Sequence, residues 1–255
     1  MLLLKSWLLG MAHTAAPATD FADELPIDIK ELDETLTYEE AIEFARGRVS
    51  MSKEEFYALS AKLRKKAFTV GRLTQLDMIE KARTIYLGQL EGTTSSLTDF
   101  VKTIRSDVDA TGLPGYYETV YRTNIQTDYN AGRAMELAAN QPQYLEFIGI
   151  EDGRQTDICR VRSGVILPYN DPWWNDNWPP LHYNCRSTVR AIYKEEADVL
   201  GIKPTAKPGA SKKSAVQGGF GVNPVQNQSY WEPTTAQQQR IKDAGIHLEL
   251  NLFDK

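Results

Sequence analysis

At 255 residues, with 42% hydrophobic and 25% charged side chains, the chain can bury a core as one large domain or two modest ones. A formal net charge of −5 excludes a global electrostatic attraction for nucleic acid, leaving only local basic patches. Two cysteines are too few for the disulfide framework of a small secreted domain.

The first residues, Trp7-Leu8-Leu9-Gly10-Met11-Ala12, are apolar, but Lys5 interrupts the run before them. What is left is short for a secretory leader and far too short to span a bilayer. A short terminal helix, docked on a partner or on the protein's own core, fits better. Next comes an acidic, turn-prone lead-in with Asp20, Asp23, Glu24, Asp28, Glu31, Asp33 and Glu34, and residues 1–36 read as an extended arm.

Residues 37–141 carry helical signals. Thr37 and Glu40 have capping-box spacing ahead of Ala41, Ile42, Phe44 and Ala45. Ser52 and Glu55 repeat the device before Phe56, Leu59, Leu63 and Ala67, which predicts one helix through that stretch. A third helix is predicted through Leu76, Ile79, Ala82, Ile85, Tyr86 and Leu90, stopping at Gly92. A fourth opens at Ser96 and Asp99, with Leu97, Phe100, Val101, Ile104 and Val108 inward, and Gly112 to Gly115 break it. The fifth runs from about Tyr116 to Ala139, with Val120, Tyr121, Asn124, Thr127, Ala131 and Met135 near one face.

In residues 142–200 the period changes to that of strands. Candidates are 144–150, 165–167 and 187–193, with a tryptophan- and proline-rich loop at 169–183 between the last two. Residues 201–255 are rich in Lys, Pro, Gly, Ser and Gln as far as about Gln239 and read as a flexible arm. That arm ends in one alternating strand, His247 to Leu252, in need of a partner sheet. The fold class is therefore α+β: a helical region packed on a small sheet-and-loop module, with extended arms at both ends.

Cys159, His182 and Cys185 are the sharpest chemical candidates, because His-x-x-Cys plus a distant Cys offers three ligands of the kinds zinc takes. Asp152, Asp157 or a water would be the fourth. A disulfide, or two thiols buried as small hydrophobes, are the competing readings. Arg122, in the polar stretch that includes Asn124, Gln126, Thr127, Asp128 and Asn130, is a candidate to pair with Asp152 or Asp157 and fix the fifth helix to the module. The alternative is an exposed arginine.

Trp173, Trp174 and Trp178, with Arg154, Arg160, Arg162, Arg186 and Arg190, have the ingredients of a nucleic-acid surface. Glu151, Asp152, Asp157, Asp171 and Asp176 offset those charges, so core-capping is the preferred role for the tryptophans. Hydrolase, zinc-protease, phosphate-loop and zinc-deaminase motifs are all missing from the sequence. A catalytic Cys159–His182 pair stays formally open.

Taken in order, these pieces resemble the phage Mu F-like minor head proteins, the head morphogenesis proteins of tailed phages. The helical part resembles the family at Ala41-Ile42-Glu43-Phe44, Lys66-Ala67-Phe68-Thr69-Val70 and Tyr121-Arg122-Thr123-Asn124-Ile125-Gln126-Thr127. The module resembles it at Asp152-x-Arg154, Gly164, Asp171-Pro172-Trp173-Trp174, Pro179-Pro180 and Asn184-Cys185-Arg186, followed by Gly218-Gly219-Phe220-Gly221-Val222-Asn223-Pro224. Two departures remove potential ligands: Ser187 stands where many members have a further Cys, and Cys159 stands alone where some have Cys-x-x-Cys.

The resemblance implies a non-enzymatic minor head protein, made in the host cytoplasm and placed inside the capsid near the portal. It implies the portal protein, the major capsid protein and packaged DNA as partners, and no membrane. On this reading Arg122, Asp152, Arg154, Trp173, Trp174 and Arg186 hold the module as a rigid knob, with the Cys159–His182–Cys185 cluster beside them. A metal- or thiol-dependent enzyme delivered with the DNA is the alternative.

Overall fold

The computed structural model describes residues 39–92, 97–209, 211–225 and 232–246. The amino-terminal arm, the capping residue Thr37, Ser96 and the predicted strand at His247 to Leu252 lie outside the described residues. Helices dominate over two small sheets, so the α+β expectation holds. The chain divides into two compact units, and the division is not sequential. One contains Gln141–Asp171 and Ser187–Ala215; the other contains the helical segment up to Asn140, the loop Pro172–Arg186 and the chain beyond Val216.

In the helical unit, α1 (Glu39–Arg46) buries Ala41, Ile42 and Ala45. Then β1 (Val49–Ser50) leads to α2 (Lys53–Ala58), which opens with both halves of the Ser52–Glu55 capping box. The predicted continuation to Ala67 does not form. Leu59 is extended, a 3-10 turn follows at Arg64–Lys66, and Ala67–Phe68 becomes β2, parallel to β1. The apolar spacing was real, but it serves two packings. Phe56, Leu59 and Leu63 pack with Val49, Met51, Ala67 and Ile246. Phe68 faces the larger core instead.

That larger core is built by α3 (Leu76–Leu90), α4 (Leu97–Asp107) and α5 (Pro114–Asn140). Ile79, Ala82, Tyr86, Phe100, Ile104 and Tyr117 close over Phe68 and Val70. Each large side chain fully buried there contributes about 2 kcal/mol of hydrophobic stabilisation. Helix α3 stops just before Gly92, as the sequence predicted, and Gly92 takes a left-handed φ of 75°. Pro114 starts α5, where its missing N–H costs nothing. Gly112 is required by close approach, since a Cβ there would sit 2.2 Å from the Tyr117 ring.

Polar groups lock this core. The guanidinium of Arg48 donates to both oxygens of Asp128 at 3.1 and 3.3 Å and to the Ala67 carbonyl at 2.8 and 3.0 Å. The Tyr86 hydroxyl donates to Asp128 at 2.5 Å. Asp128 and Asn130 are fully buried on α5, in line with a hydrogen-bonded structural role for that polar stretch.

The sheet unit has strand order β4-β3-β5, all antiparallel, from β3 (Tyr144–Ile148), β4 (Ile166–Pro168) and β5 (Thr188–Ile192). Between β3 and β4 a single helical turn, α6 (Asp157–Arg160), is capped by Thr156. After β5 comes α7 (Lys194–Leu200), and Arg190 ties strand to helix by donating to Glu146 at 2.9 Å and Glu196 at 2.6 Å. The stretch after Lys203, expected to be a free arm, is fastened to the sheet: Thr205 donates its amide to Ile166 at 2.8 Å, and Lys207 pairs with Asp171 at 2.8 Å. A backbone hydrogen bond and a long-range ion pair make these contacts, and composition reports neither. Helix α8 (Thr235–Asp243) belongs to the helical unit and is held by Arg240, which donates to Glu55 at 2.5 Å.

Candidate functional site

The loop Pro172–Arg186 presents the candidate side chains, and the helical unit holds it at several points. A 3-10 turn at Pro172–Asn175 turns Trp174 inward, and Trp174 and Trp178 are fully buried with their rings edge-to-face at 6.3 Å. The indole N–H of Trp178 donates to the Asn130 carbonyl of α5 at 2.9 Å. Core-capping is thus what these two rings do; Trp173 is half-buried and meets Trp174 edge-on.

A strap of chain at 216–225 runs beside the loop. Gln217 donates its amide to Leu181, Gly221 to Pro180, and Gly221 accepts from Trp178 at 2.8 Å. Gly221 cannot be replaced there, because its φ is 80° and a Cβ would lie 2.6 Å from the Asp176 carbonyl. Lys65 anchors the strap from below by donating to the Val222 carbonyl. Burial lowers the Lys65 pKa to about 7.

At the loop's end, His182, Tyr183, Asn184 and Cys185 form a tight turn, closed by the Cys185 amide donating to the His182 carbonyl at 3.3 Å. Asn184 takes a φ of 55°, a conformation asparagine tolerates better than most residues. Its backbone amide donates to Thr123 Oγ1 and its side-chain amide to Thr119 Oγ1, both at 3.2 Å, which fixes the turn to α5. Tyr183 donates its amide to the Gln217 side chain at 3.2 Å.

The turn brings His182 and Cys185 together. His182 Nδ1 lies 2.7 Å from the Tyr183 carbonyl. A carbonyl only accepts, so Nδ1 carries the proton and Nε2 is left with its lone pair. The hydrogen bond to the Cys185 side chain is the main influence raising the His182 pKa; burial opposes it and the Tyr183 carbonyl adds to it. Cys185 is buried and is not in a disulfide.

Cys159 lies in α6 of the sheet unit, buried and likewise not in a disulfide, its amide donating to Thr156 at 3.4 Å. Arg162 donates to the Ile158 and Ser214 carbonyls at 2.6 and 2.8 Å, and burial lowers its pKa. Of the three candidate ligands, His182 and Cys185 lie in the helical unit and Cys159 in the sheet unit.

Other expectations fare differently. Arg122 is exposed, and its ion pair is with Glu118 one turn earlier at 3.8 Å, not with Asp152 or Asp157. A residue facing solvent on α5 finds its partner on its own helix. Arg154 is 76% exposed, and its backbone amide and guanidinium both donate to Asp152 in a surface turn, so this pair does not brace the module from within. Arg186 is half-buried. The bracing comes from Thr119, Thr123, Gln217 and Lys65, none of which the sequence marks as a brace. Lys65 was hidden in the run Lys62-Leu63-Arg64-Lys65-Lys66, which looks solvated.

Comparison with known proteins bears directly on this region. The family described as Phage Mu protein F like protein matches residues 90–190, a span containing α4, α5, β3, β4, the start of β5 and all three candidate ligands. Residues 90–190 are similar to the phage Mu F-like family. A phage Mu protein named capsid assembly protein F is 26% identical over 187 residues, covering 64% of this chain and 42% of that protein. The Mu-like prophage FluMu F protein of Haemophilus influenzae is 31% identical over 101 residues, covering 38% of this chain and 24% of that protein. The chain therefore spans less than half the length of these curated relatives. No solved structure matches it significantly. The Mu F-like span joins segments of both units, and it includes the pinned loop and its α5 anchors.

Proposed function

We propose that this protein is a minor head protein of a tailed phage that assists head assembly as a tether, binding the portal protein and the major capsid protein from inside the capsid. The single observation carrying the head-associated part is the Mu F-like match together with a relative named for capsid assembly. The finer part rests on the loop Pro172–Arg186, which is fixed to α5 and the 216–225 strap and so presents a pre-ordered surface. A surface that is ordered beforehand binds a partner with less entropic cost. In this reading the protein is made in the host cytoplasm, ends in the virion interior near the portal, touches packaged DNA there and catalyses nothing. Among the described residues no helix is long and apolar enough to cross a membrane.

Native mass spectrometry of the full chain, mixed with the portal protein and separately with the major capsid protein of its phage, tests the tether. A defined complex with the portal protein is expected. Free chain alone in both mixtures would refute it.

One observation favours a thiol-dependent enzyme as the second reading: His182 is hydrogen-bonded to Cys185, the arrangement that activates a cysteine nucleophile. Burial of Cys185 works against it, since a nucleophile must reach its substrate. Alkylation of Cys185 by iodoacetamide at neutral pH within minutes would move this reading forward.

A further inference from the structure

We infer that the face formed by Tyr57, Arg64, Tyr183 and Phe220 binds an acidic segment of a partner protein, with one carboxylate taken by Arg64 and a neighbouring apolar side chain laid against the rings. The four residues come from α2, the 3-10 turn that follows it, the loop Pro172–Arg186 and the 216–225 strap, and all belong to the helical unit. The inference does not depend on the head-assembly reading.

Three observations lead there. First, aromatic surface is left in water at one place. Tyr57 is 53% and Tyr183 50% exposed, yet both are held. Tyr183 meets the Phe220 ring edge-on at 5.0 Å, Tyr57 meets Phe56 at 5.5 Å, and the Tyr183 hydroxyl is hydrogen-bonded to Tyr57. Single exposed apolar residues are ordinary, but fixed tyrosines around an arginine have the composition of an interface hot spot.

Second, Arg64 is oriented but lacks a counter-charge. Its Nε donates to the Leu59 carbonyl at 3.1 Å and its Nη2 to the Tyr57 carbonyl at 3.2 Å, with the guanidinium 5.1 Å from the centre of the Tyr57 ring. Arg46, Arg48, Arg72, Arg133, Arg190 and Arg240 each meet a carboxylate, whereas none of the described residues offers one to Arg64. Glycine keeps its Nη1 uncovered, since a Cβ at Gly219 would lie 3.1 Å from that atom. Third, the local charge has one sign. Residues 56–76, 177–186 and 216–225 contain no acidic residue, and the first of these stretches holds Lys62, Arg64, Lys65, Lys66 and Arg72. On α2, Glu55 is already paired with Arg240, which leaves Glu54 against Lys62, Arg64 and Lys66.

A purely structural arginine explains the two carbonyl bonds at the end of α2, but not the open Nη1 or the two exposed tyrosines beside it. A carboxylate oxygen accepting from Nη1 makes a charge-assisted hydrogen bond, and the guanidinium loses little freedom in forming it. Single-stranded nucleic acid fits less well, because stacked bases need open ring faces. Here the guanidinium occupies one face of Tyr57, and Tyr183 and Phe220 stand edge-to-face. The net charge of −5 also repels a long polyanion. A short acidic segment answers mainly to charges within a Debye length, about 8 Å at physiological salt.

The test pans the immobilised full chain against a random peptide library, then measures synthesised copies of the enriched peptides in solution by fluorescence anisotropy. Enriched peptides should carry Asp or Glu beside an aromatic residue, Leu or Pro. Binding should weaken at least about tenfold for Arg64→Ala and for Tyr183→Ala, as expected for hot-spot residues. Replacing the peptide's carboxylates by amides should weaken it as much with the parent chain. Should Arg64→Ala fail to fold, the exposed Tyr183→Ala and the amide peptides still decide. No enrichment over a blank surface, a basic or uncharged consensus, or equal binding of the amide peptides would overturn the proposal. So would a thymidine oligonucleotide that binds more tightly than the peptides and is weakened by the same two variants.

Discussion

Asp128 and Asp109 lie on different parts of the helical unit, yet each accepts hydrogen bonds from an arginine and a tyrosine. Asp109 takes them from Thr111, Tyr117 at 2.7 Å and Arg72 at 2.6 Å. Asp128 takes them from Arg48 and Tyr86. Their proton affinities nevertheless move in opposite directions. The bonds from Thr111, Tyr117 and Arg72 hold Asp109 well below the ordinary carboxylate range. Full burial pushes Asp128 up, against the pull of Arg48 and Tyr86. The same partners thus yield a surface latch in one place and a costly internal ion pair in the other, and access to water decides which.

Replacing Asp128 should break the comparison most severely. Asp128→Asn leaves the Arg48 guanidinium buried without its counter-charge, which should cost about 3–5 kcal/mol. Urea unfolding followed by circular dichroism measures it, and a loss under about 1 kcal/mol would show that the pair is not truly desolvated. Lys65 extends the comparison to a buried cation. Its pKa falls in the folded state to about 7, so the folded chain binds fewer protons than the unfolded one above that pH. Stability should then rise with pH from about 7 towards the ordinary lysine value, by on the order of a few kcal/mol. Lys65→Met should flatten that rise, as read from urea midpoints across this range.

Asp109→Asn should cost less, about 1 kcal/mol at neutral pH, because solvent replaces part of what is lost. Its pH signature is the sharper readout. A depressed folded pKa stabilises above the unfolded value and is lost as pH falls, so the parent should weaken from about pH 5 downward. The asparagine variant should lose that part of its acid sensitivity, whereas a change at Asp128 should not remove it. Smallest of all is Arg122→Ala. Its pair with Glu118 is solvent-exposed, and a thermal melt should shift by no more than the equivalent of about 0.5 kcal/mol.

Much of the helical unit was legible because its signals are local. The Ser52–Glu55 cap, the Gly92 stop and the apolar stripe of α3 each act within a few residues. Where sequence reasoning failed, the partner was distant. Ala67 and Phe68 leave a helical pattern to pair with Val49 and Ser50, since a parallel strand contact outweighs local spacing. The candidate ligands could be named from residue type alone. The Tyr183 carbonyl that sets the His182 tautomer could not, because backbone groups carry no sequence label. Nor could the 216–225 strap, whose glycines read as looseness but serve close approach.

The path of the chain through its two units has a consequence during synthesis. The loop with Trp174, Trp178 and Leu181, and later the strap with Val222, return to the helical unit after excursions into the other one. When α5 has left the ribosome, the indole that will bond to Asn130 has yet to be made, and so has the carbonyl that will receive Lys65. Contacts so far apart in sequence close late and slow the search for the native state. A nascent chain halted after Asn140 would therefore expose apolar surface that only the last third of the polypeptide can cover, and in that interval the exposed surface favours aggregation.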